Sequence, residues 1–262
     1  MNARTIQSKP YRSSGPSEVA RDRMLLVAAL VAVWQGLALL AGPEVLTPPV
    51  ATVHKLAQLM AGPDFAGHAW ETGRAFMLAL LISLAGGLAI GVVLGAHRLS
   101  GEVAEPLLVA LYSIPKITLY PVVLLLFGLG MSAKVAFGAM HGIIPVVLFT
   151  MNAVRGIPHV YLRAARSMRL TPLQLFRHVL VPASLPEIVT GFRFGFSLTL
   201  LGTLIGEMFA SQRGIGYLLI KSMENNSTDV ILALALLLIL LATGASALLL
   251  ALERRVHGRF TG

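Results

Sequence analysis

Residues 163–188 read RAARSMRLTPLQLFRHVLVPASLPEI. The stretch is basic, it is punctuated by prolines, and it lies between two long apolar runs. Pro158, just upstream, suits a first helical turn, and a helix over about 158–168 follows. On a helical wheel Tyr161, Ala164, Ala165 and Met168 share one face, with Arg163, Arg166 and Arg169 on a roughly opposite arc. Thr171 can then cap a second helix, because Pro172 fits its first position and Gln174 stands three residues after the cap, a capping box with proline at N1. That second helix is expected to run to about Leu180 and to stop at Pro182.

Two short helices with a tight corner are more organisation than a loop needs for topology alone. Arginines at i, i+3 repel by a few tenths of a kcal/mol, a cost recovered where they face acidic lipid headgroups or an acidic partner surface. The residues alone leave two readings open: a docking element for another protein, or a cationic anchor lying on a membrane.

The composition surrounding this segment decides the medium. Of 262 residues, 56% are hydrophobic and only 13% charged, about half the charged share of a soluble domain. Too few charges remain to cover a water-facing surface, so the chain is expected to be an all-α membrane protein. Crossing roughly 30 Å of hydrocarbon takes about 20 apolar residues, and only helices satisfy their own backbone there. Six transmembrane helices are expected, at about 24–42, 74–96, 105–128, 133–154, 189–209 and 229–252. An uncleaved first helix is preferred over a signal peptide cleaved after Gly42. The net charge of +9 would suggest nucleic acid in a soluble protein, but no basic stretch with interleaved aromatics supports that. The absence of cysteine excludes disulfides and thiol chemistry.

Lys and Arg set the direction. With the N-terminus inside, the tail, Arg98, the 155–187 segment and ERRVHGR near the end are cytoplasmic and hold 14 of the 21 Lys plus Arg. Outside fall Lys55, Arg74, Lys134, Arg213 and Lys221. The expected organisation is therefore a basic cytoplasmic tail over 1–23, a first transmembrane helix with an external amphipathic segment over 24–71, a core over 72–255 whose loop 156–187 holds the helical pair, and a short cytoplasmic tail over 256–262. In the external segment Val53, Leu56, Ala57 and Met60 follow helical spacing as the apolar stripe of an amphipathic helix, which is expected to lie on the outer surface. Gly87, Gly91 and Gly95, Gly138 and Gly142, and Gly202 and Gly206 form GxxxG steps that let helices approach closely. Contact within one bundle is preferred for them; a subunit interface is the alternative.

The loop resembles the cytoplasmic loop of permease subunits of ATP-binding-cassette importers, which carries E-A-A, three residues, G, nine residues, then I-x-L-P. Ala164 and Ala165 match the alanines, Val179 and Val181 stand for Ile and Leu, and Pro182 falls on the proline. Arg163 replaces the Glu and Arg169 the Gly. Further blocks, SLAGGLAIGVVLGAHRLSGEVAEPLLVALYSIPKITLYPVVLLLFGLG, VLVPASLPEIVTGFRFGFSLTLLGTLIGEMFASQRGIGYLL and LERR, are similar to the nitrate/sulfonate/taurine type of that family, and together the likeness spans roughly 72–255.

The resemblance implies a type I importer permease (MetI-like) fold in a bacterial inner membrane. It implies coupling helices seated in a groove of a separate ATPase dimer, a periplasmic or lipid-anchored solute-binding protein, and a second permease subunit, identical or not. Coupling would fall to Tyr161, Arg163, Ala164, Ala165, Met168, Arg169, Leu173, Leu175, Phe176 and Pro182. The alanines permit close approach, and Leu173, Leu175 and Phe176 form an apolar plug. The family glycine fits a left-handed helix end. An Arg held in that shape costs about 1–2 kcal/mol, so the corner at Arg169 is expected to be shaped differently. Arg163 reverses a docking charge, which implies either a more acidic ATPase groove or a second permease with the usual motif.

No G-x-x-x-x-G-K loop is present, so ATP is expected to be used by a partner and no cofactor is expected on this chain. Neither H-E-x-x-H nor G-x-S-x-G occurs, and the histidines show no metal-ligand spacing. Ionisable groups inside spans are the candidates for the solute path. Lys116 lies between two prolines, where it could attract an anion or bond a carbonyl freed by a kink. His141 lies mid-span, lining the path or bonded to its own backbone. Glu207 lies near the outer end, where a structural pairing with Arg213 is preferred. Glu102 and Glu105 could pair with Arg98, and Arg193 is an expected inner-edge anchor. The resulting expectation is an importer permease for a small, often anionic solute working by alternating access, with an ion-driven transporter or channel as the rival.

Overall fold

The computed structural model describes residues 16–260; the part of the expected basic tail before residue 16, and residues 261–262, lie outside the described residues. Among the described residues the elements are helical throughout. Helices α1 (Pro16–Ala41), α3 (Phe65–Ala96), α6 (Met131–Arg155), α9 (Val181–Ala210) and α11 (Thr228–Phe260) are the long ones. Shorter helices join them: α2 (Pro49–Ala61), α4 (Arg98–Ser113), α5 (Tyr120–Phe127), α7 (His159–Ser167), α8 (Pro172–Leu175) and α10 (Ile215–Glu224). Five stretches are long and apolar enough to cross a membrane. The sixth expected span is a broken one, in which Arg98–Ser113 and Lys116–Phe127 meet at 86°. Pro115 lacks an N–H and bars the helical shape from Ile114 before it, and the chain restarts as a 3₁₀ turn over Lys116–Leu119.

Helix α6 is the centre, packed along its length between α3 and α9. Glycines make this possible. A Cβ on Gly91 of α3 would lie 2.6 Å from Thr150 Cβ and 2.9 Å from the Val147 carbonyl of α6. One on Gly142 of α6 would lie 2.7 Å from Ser83 Oγ of α3 and crowd Thr199 of α9. The glycine ridges thus serve contact within one chain. The polar groups there are matched to each other: Thr199 Oγ1 donates to Ser83 Oγ at 3.2 Å, and Ser83 Oγ donates to the Ala139 carbonyl at 3.2 Å.

Three expectations change. Helix α1 begins at Pro16, inside the stretch expected to be tail, because SEVARDR has no breaker to stop the helix reaching back from Met24. Helix α2 buries Pro49, Thr52 and Leu56, while Val53 and Met60 stay 57% and 52% exposed. Only Leu56 of the expected apolar stripe packs inward, against Ile215, Ala233, Leu234 and Leu237. Thr52 tolerates burial because its hydroxyl donates to the Pro48 carbonyl at 3.0 Å. Nor does the helix after the loop stop at Pro182. Phe176–Leu180 widens into a π turn in which the Val181 N–H reaches the Phe176 carbonyl, and the apolar helical stretch runs on from Leu173 to Phe209. The wider turn shifts the bonding register just before the proline, so its missing N–H interrupts no α-helical ladder.

Alternation of the spans puts the α7–α8 loop at the same end as the start of α1 and the finish of α11. Ion pairs mark this end: Arg98 Nε to Glu102 at 2.9 Å, Arg155 to Glu105 at 2.7 Å, and Arg193 to Glu253 at 3.0 Å, where Thr190 also donates to Glu253. Glu105 therefore pairs with Arg155 rather than with Arg98. The Arg193–Glu253 contact is close enough for an ion pair, although its N–H points off the hydrogen-bond line.

Candidate functional site

The basic loop is built as two capped helices. Helix α7 ends in a Schellman motif: the Leu170 N–H donates to the Ala165 carbonyl at 3.1 Å and the Arg169 N–H to the Arg166 carbonyl at 3.0 Å. The motif needs a left-handed residue, and Arg169 supplies it at φ +51°. The expectation of a differently shaped corner is corrected: the corner keeps the shape a glycine would favour and carries the strain on an arginine. Immediately after it, the Thr171 N–H donates to Gln174 Oε1 at 2.9 Å, and the Gln174 N–H donates to Thr171 Oγ1 at 3.3 Å. This reciprocal pair is the capping box, which satisfies two orphan donors at the start of α8.

The faces divide as the wheel implies. Tyr161, Ala164, Ala165, Met168 and Pro182 line one hollow of about 300 Å³ between α7 and the foot of α9, with Val179. Ala165 is buried, whereas Met168 is 71% exposed at the rim. Leu173 and Phe176 lie outside the hollow and are exposed, and Leu175 is half-buried. Arg163, Arg166, Arg169 and Arg177 are all exposed.

The other candidates separate. Lys116 is at the elbow, half-buried, where its Nζ donates to the Tyr112 carbonyl at 3.1 Å and lies 5.1 Å from the Tyr112 ring. That carbonyl is one the broken helix leaves without its backbone donor. His141 is buried between α6 and α9, beside Gly202. Its Nδ1 is 2.8 Å from the Phe137 carbonyl, which fixes the proton on Nδ1 as the donor.

Glu207 is fully buried at the opposite end from the loop. It accepts from Thr72 Oγ1 at 2.8 Å and from the Gly216 N–H at 3.0 Å. Its cation is Lys134, 3.8 Å away, and not Arg213. Lys134, itself 1% exposed, donates to Glu71 at 3.0 Å and to the Arg213 carbonyl at 3.1 Å. Thr72 Oγ1 also accepts from the Ile215 N–H at 2.8 Å. Glu71, Thr72, Lys134 and Glu207 thereby tie α3, α6, α9 and the turn into α10 together. Gly214 has φ +129°, and a Cβ there would run into the Glu207 carboxyl, so the turn closes on Glu207 only with glycine. A polar hollow of about 560 Å³ opens beside the cluster, lined by Glu71, Lys134, Gln212 and Arg213 among others. Sequence reasoning missed Lys134 and Glu71. The usable signal is a lysine next to a long apolar run, at a position that the charge distribution places outside.

Among the described residues no group of His, Asp and Glu is placed to hold a metal.

Fold and loop together define a class: a helical chain that spans a membrane several times and carries a structured basic loop between two of its spans. Residues 87–258 match the family described as "Binding-protein-dependent transport system inner membrane component". The chain belongs to that family and is a permease subunit of an ATP-binding-cassette importer, a transport component and not an enzyme, working with a separate ATPase. It is 30% identical over 247 residues to the "Taurine transport system permease protein TauC" of Escherichia coli (strain K12), covering 88% of each chain. It is 27% identical over 235 residues to the "Putative aliphatic sulfonates transport permease protein SsuC" of Bacillus subtilis (strain 168), covering 88% of this chain and 84% of the other. It is 26% identical over 239 residues to the "Nitrate import permease protein NrtB" of Leptolyngbya laminosa, covering 87% and 83%.

Proposed function

We propose that this permease imports a small anionic solute across a bacterial inner membrane, with the α7–α8 pair as its mechanical link to the ATPase. The observation that carries the reading is the capped, unneutralised helical pair at one end of the bundle, in a chain of this family. The excess of Lys and Arg in this loop and in both flanking tails supports placing this end, and both termini, in the cytoplasm. A solute-binding protein delivers from the other side, and a second permease subunit, identical or related, completes the path. Nucleotide binding draws the loops of the two subunits together and opens the outer side; hydrolysis resets it. The relatives named for sulfonates and nitrate support an anionic cargo, and the one named for taurine supports a cargo that bears a sulfonate group.

Within this scheme Tyr161, Ala164, Ala165, Met168 and Pro182 shape the docking surface, Leu173, Leu175 and Phe176 supply apolar contact, and Arg163 and Arg169 supply charge. Of the three candidate path residues, only Lys116 is not buried, and half-exposed at the elbow it can meet an anion. His141 and Glu207 are held by neighbours of their own chain, which supports structural roles for them.

The test is uptake into proteoliposomes containing the permease, its ATPase and its binding protein. Nitrate, taurine and an alkylsulfonate are offered in turn. Uptake of one of them that needs internal ATP supports the reading; uptake at full rate without nucleotide refutes it in favour of an ion-driven carrier.

A further inference from the structure

Helix α10 begins at Ile215 behind a glycine, which has no side chain to cap it. The first N–H groups of a helix have no partner within it, and here the acceptors come from other helices. The Gly214 N–H donates to His68 Nδ1 at 3.0 Å, the Ile215 N–H to Thr72 Oγ1 at 2.8 Å, and the Gly216 N–H to Glu207 at 3.0 Å. His68 and Thr72 stand four residues apart on α3, so one face of that helix holds the turn. The same turn offers its Arg213 carbonyl to Lys134 of α6. It is clasped at the end of the bundle away from the basic loop.

His68 can hold its part of the clasp in one charge state only. An imidazole nitrogen accepts a hydrogen bond while it carries no proton; imidazolium is a donor at both nitrogens. Protonation sets donor against donor at Gly214. It also places a positive charge beside the positive end of the α10 dipole. Arg213 in the turn and Lys221 on α10 oppose that charge, and Asp64, four residues before His68, favours it. The other nearby charges are engaged: Lys55 of α2 pairs with Asp229 at 2.6 Å, and Glu71 pairs with Lys134. Tyr217 of α10 stacks on the imidazole with ring centroids 6.0 Å apart. The ring is half-buried, and it lines a hollow of about 340 Å³ with Arg213, Tyr217 and Lys221, which gives protons a route to it.

We infer that His68 is an acid-labile latch: as neutral imidazole it holds the turn into α10 against α3, and on protonation it lets that turn go. The clasped turn binds one proton fewer than the released one. The clasp is therefore fully held above about pH 6.5, the ordinary imidazole value, and weakens as the pH falls below it. Thr72 and Glu207 keep their own bonds to α10, so the release is local to the turn. The latch stands on these hydrogen bonds; only its outward placing rests on the orientation proposed above.

The absence of cysteine allows a single label. Gln212→Cys, at an exposed position in the turn, carries a nitroxide in the full chain in detergent, and its mobility is followed by electron paramagnetic resonance from pH 8 to pH 5. In this background His68→Asn keeps an acceptor oxygen near the place of Nδ1 but does not titrate, and His68→Leu offers no acceptor. With His68 present, the mobile fraction is expected to rise about threefold or more between pH 7.5 and 5.5, one proton allowing at most about tenfold per pH unit. His68→Asn should stay low throughout and His68→Leu high throughout. A label indifferent to pH when His68 is present, or an equal pH response in His68→Asn, overturns the latch. Reaction of the Gln212→Cys variant with an impermeant maleimide in spheroplasts supports the outward placing. Reaction only after the cells are opened leaves the latch standing and overturns the orientation.

Discussion

Replacing Lys134 by methionine removes the ammonium that separates Glu71 from Glu207. The lysine is 3.0 Å from one carboxylate and 3.8 Å from the other. With an effective dielectric of about 20, these attractions are worth roughly 5 and roughly 4 kcal/mol. The cost of burying the three charges offsets much of this. Removing one partner of a buried pair nevertheless costs about 3–5 kcal/mol, because the partners stay behind uncompensated. Glu207 is fully buried and keeps only the Thr72 hydroxyl and the Gly216 N–H. For a chain of this length Lys134→Met is therefore expected to lower the melting temperature by roughly 10 °C. Trp70, next to Glu71 in sequence, and Trp34 report unfolding in detergent by fluorescence. The double variant Lys134→Met with Glu207→Gln removes the stranded charge and is expected to recover about 1–3 kcal/mol of the loss. A single variant as stable as the parent, or a double variant whose losses simply add, refutes the account of a mutually compensated ion cluster.

Arg169→Gly relieves the left-handed strain at the α7 corner and should stabilise the chain by about 1 kcal/mol; thermal melting checks this, and ATPase affinity should fall in the same variant. Gly142→Ala drives a methyl against Ser83 and Thr199 and should cost about 1–3 kcal/mol, read as lower yield of monodisperse protein. Gly36→Ala, where nothing lies within 4 Å, should be neutral or stabilising in the same assay. Gln174→Ala removes one arm of the capping box and should cost about 1 kcal/mol or less; faster amide exchange confined to the loop would be its signature.

Much of the architecture could be read from residue patterns because single rules decided it. Long apolar runs specify spans in a medium that offers the backbone no partner, and Thr171, Pro172 and Gln174 specify a cap that lies within four residues. The glycine steps announced close packing, although only the fold shows that their partners are Val147, Thr150, Ser83 and Thr199 of the same chain. What resisted reading was settled at long range. The partner of Glu207 is Lys134, from another span, because the turn after α9 folds back over it; local sequence suggested Arg213 instead. Helix α2 is apolar on more than one side, so which stripe packs inward depends on α11, not on its own spacing. At Pro182 a local rule for ending helices lost to a one-residue change of register in the preceding turn.

The uninterrupted helical stretch from Leu173 to Phe209 has one more consequence. At 37 residues it is roughly 55 Å long, longer than the hydrocarbon is thick, with the arginine knuckle at its foot and Glu207 near its tip. From Gly191 against Phe149 to Gly206 against Lys134 it lies flush on α6, so its upper half is a rod held along its flank. A displacement of the foot can reach the tip only by carrying α6 with it, and the tip brings along the turn into α10 that Glu207 grips.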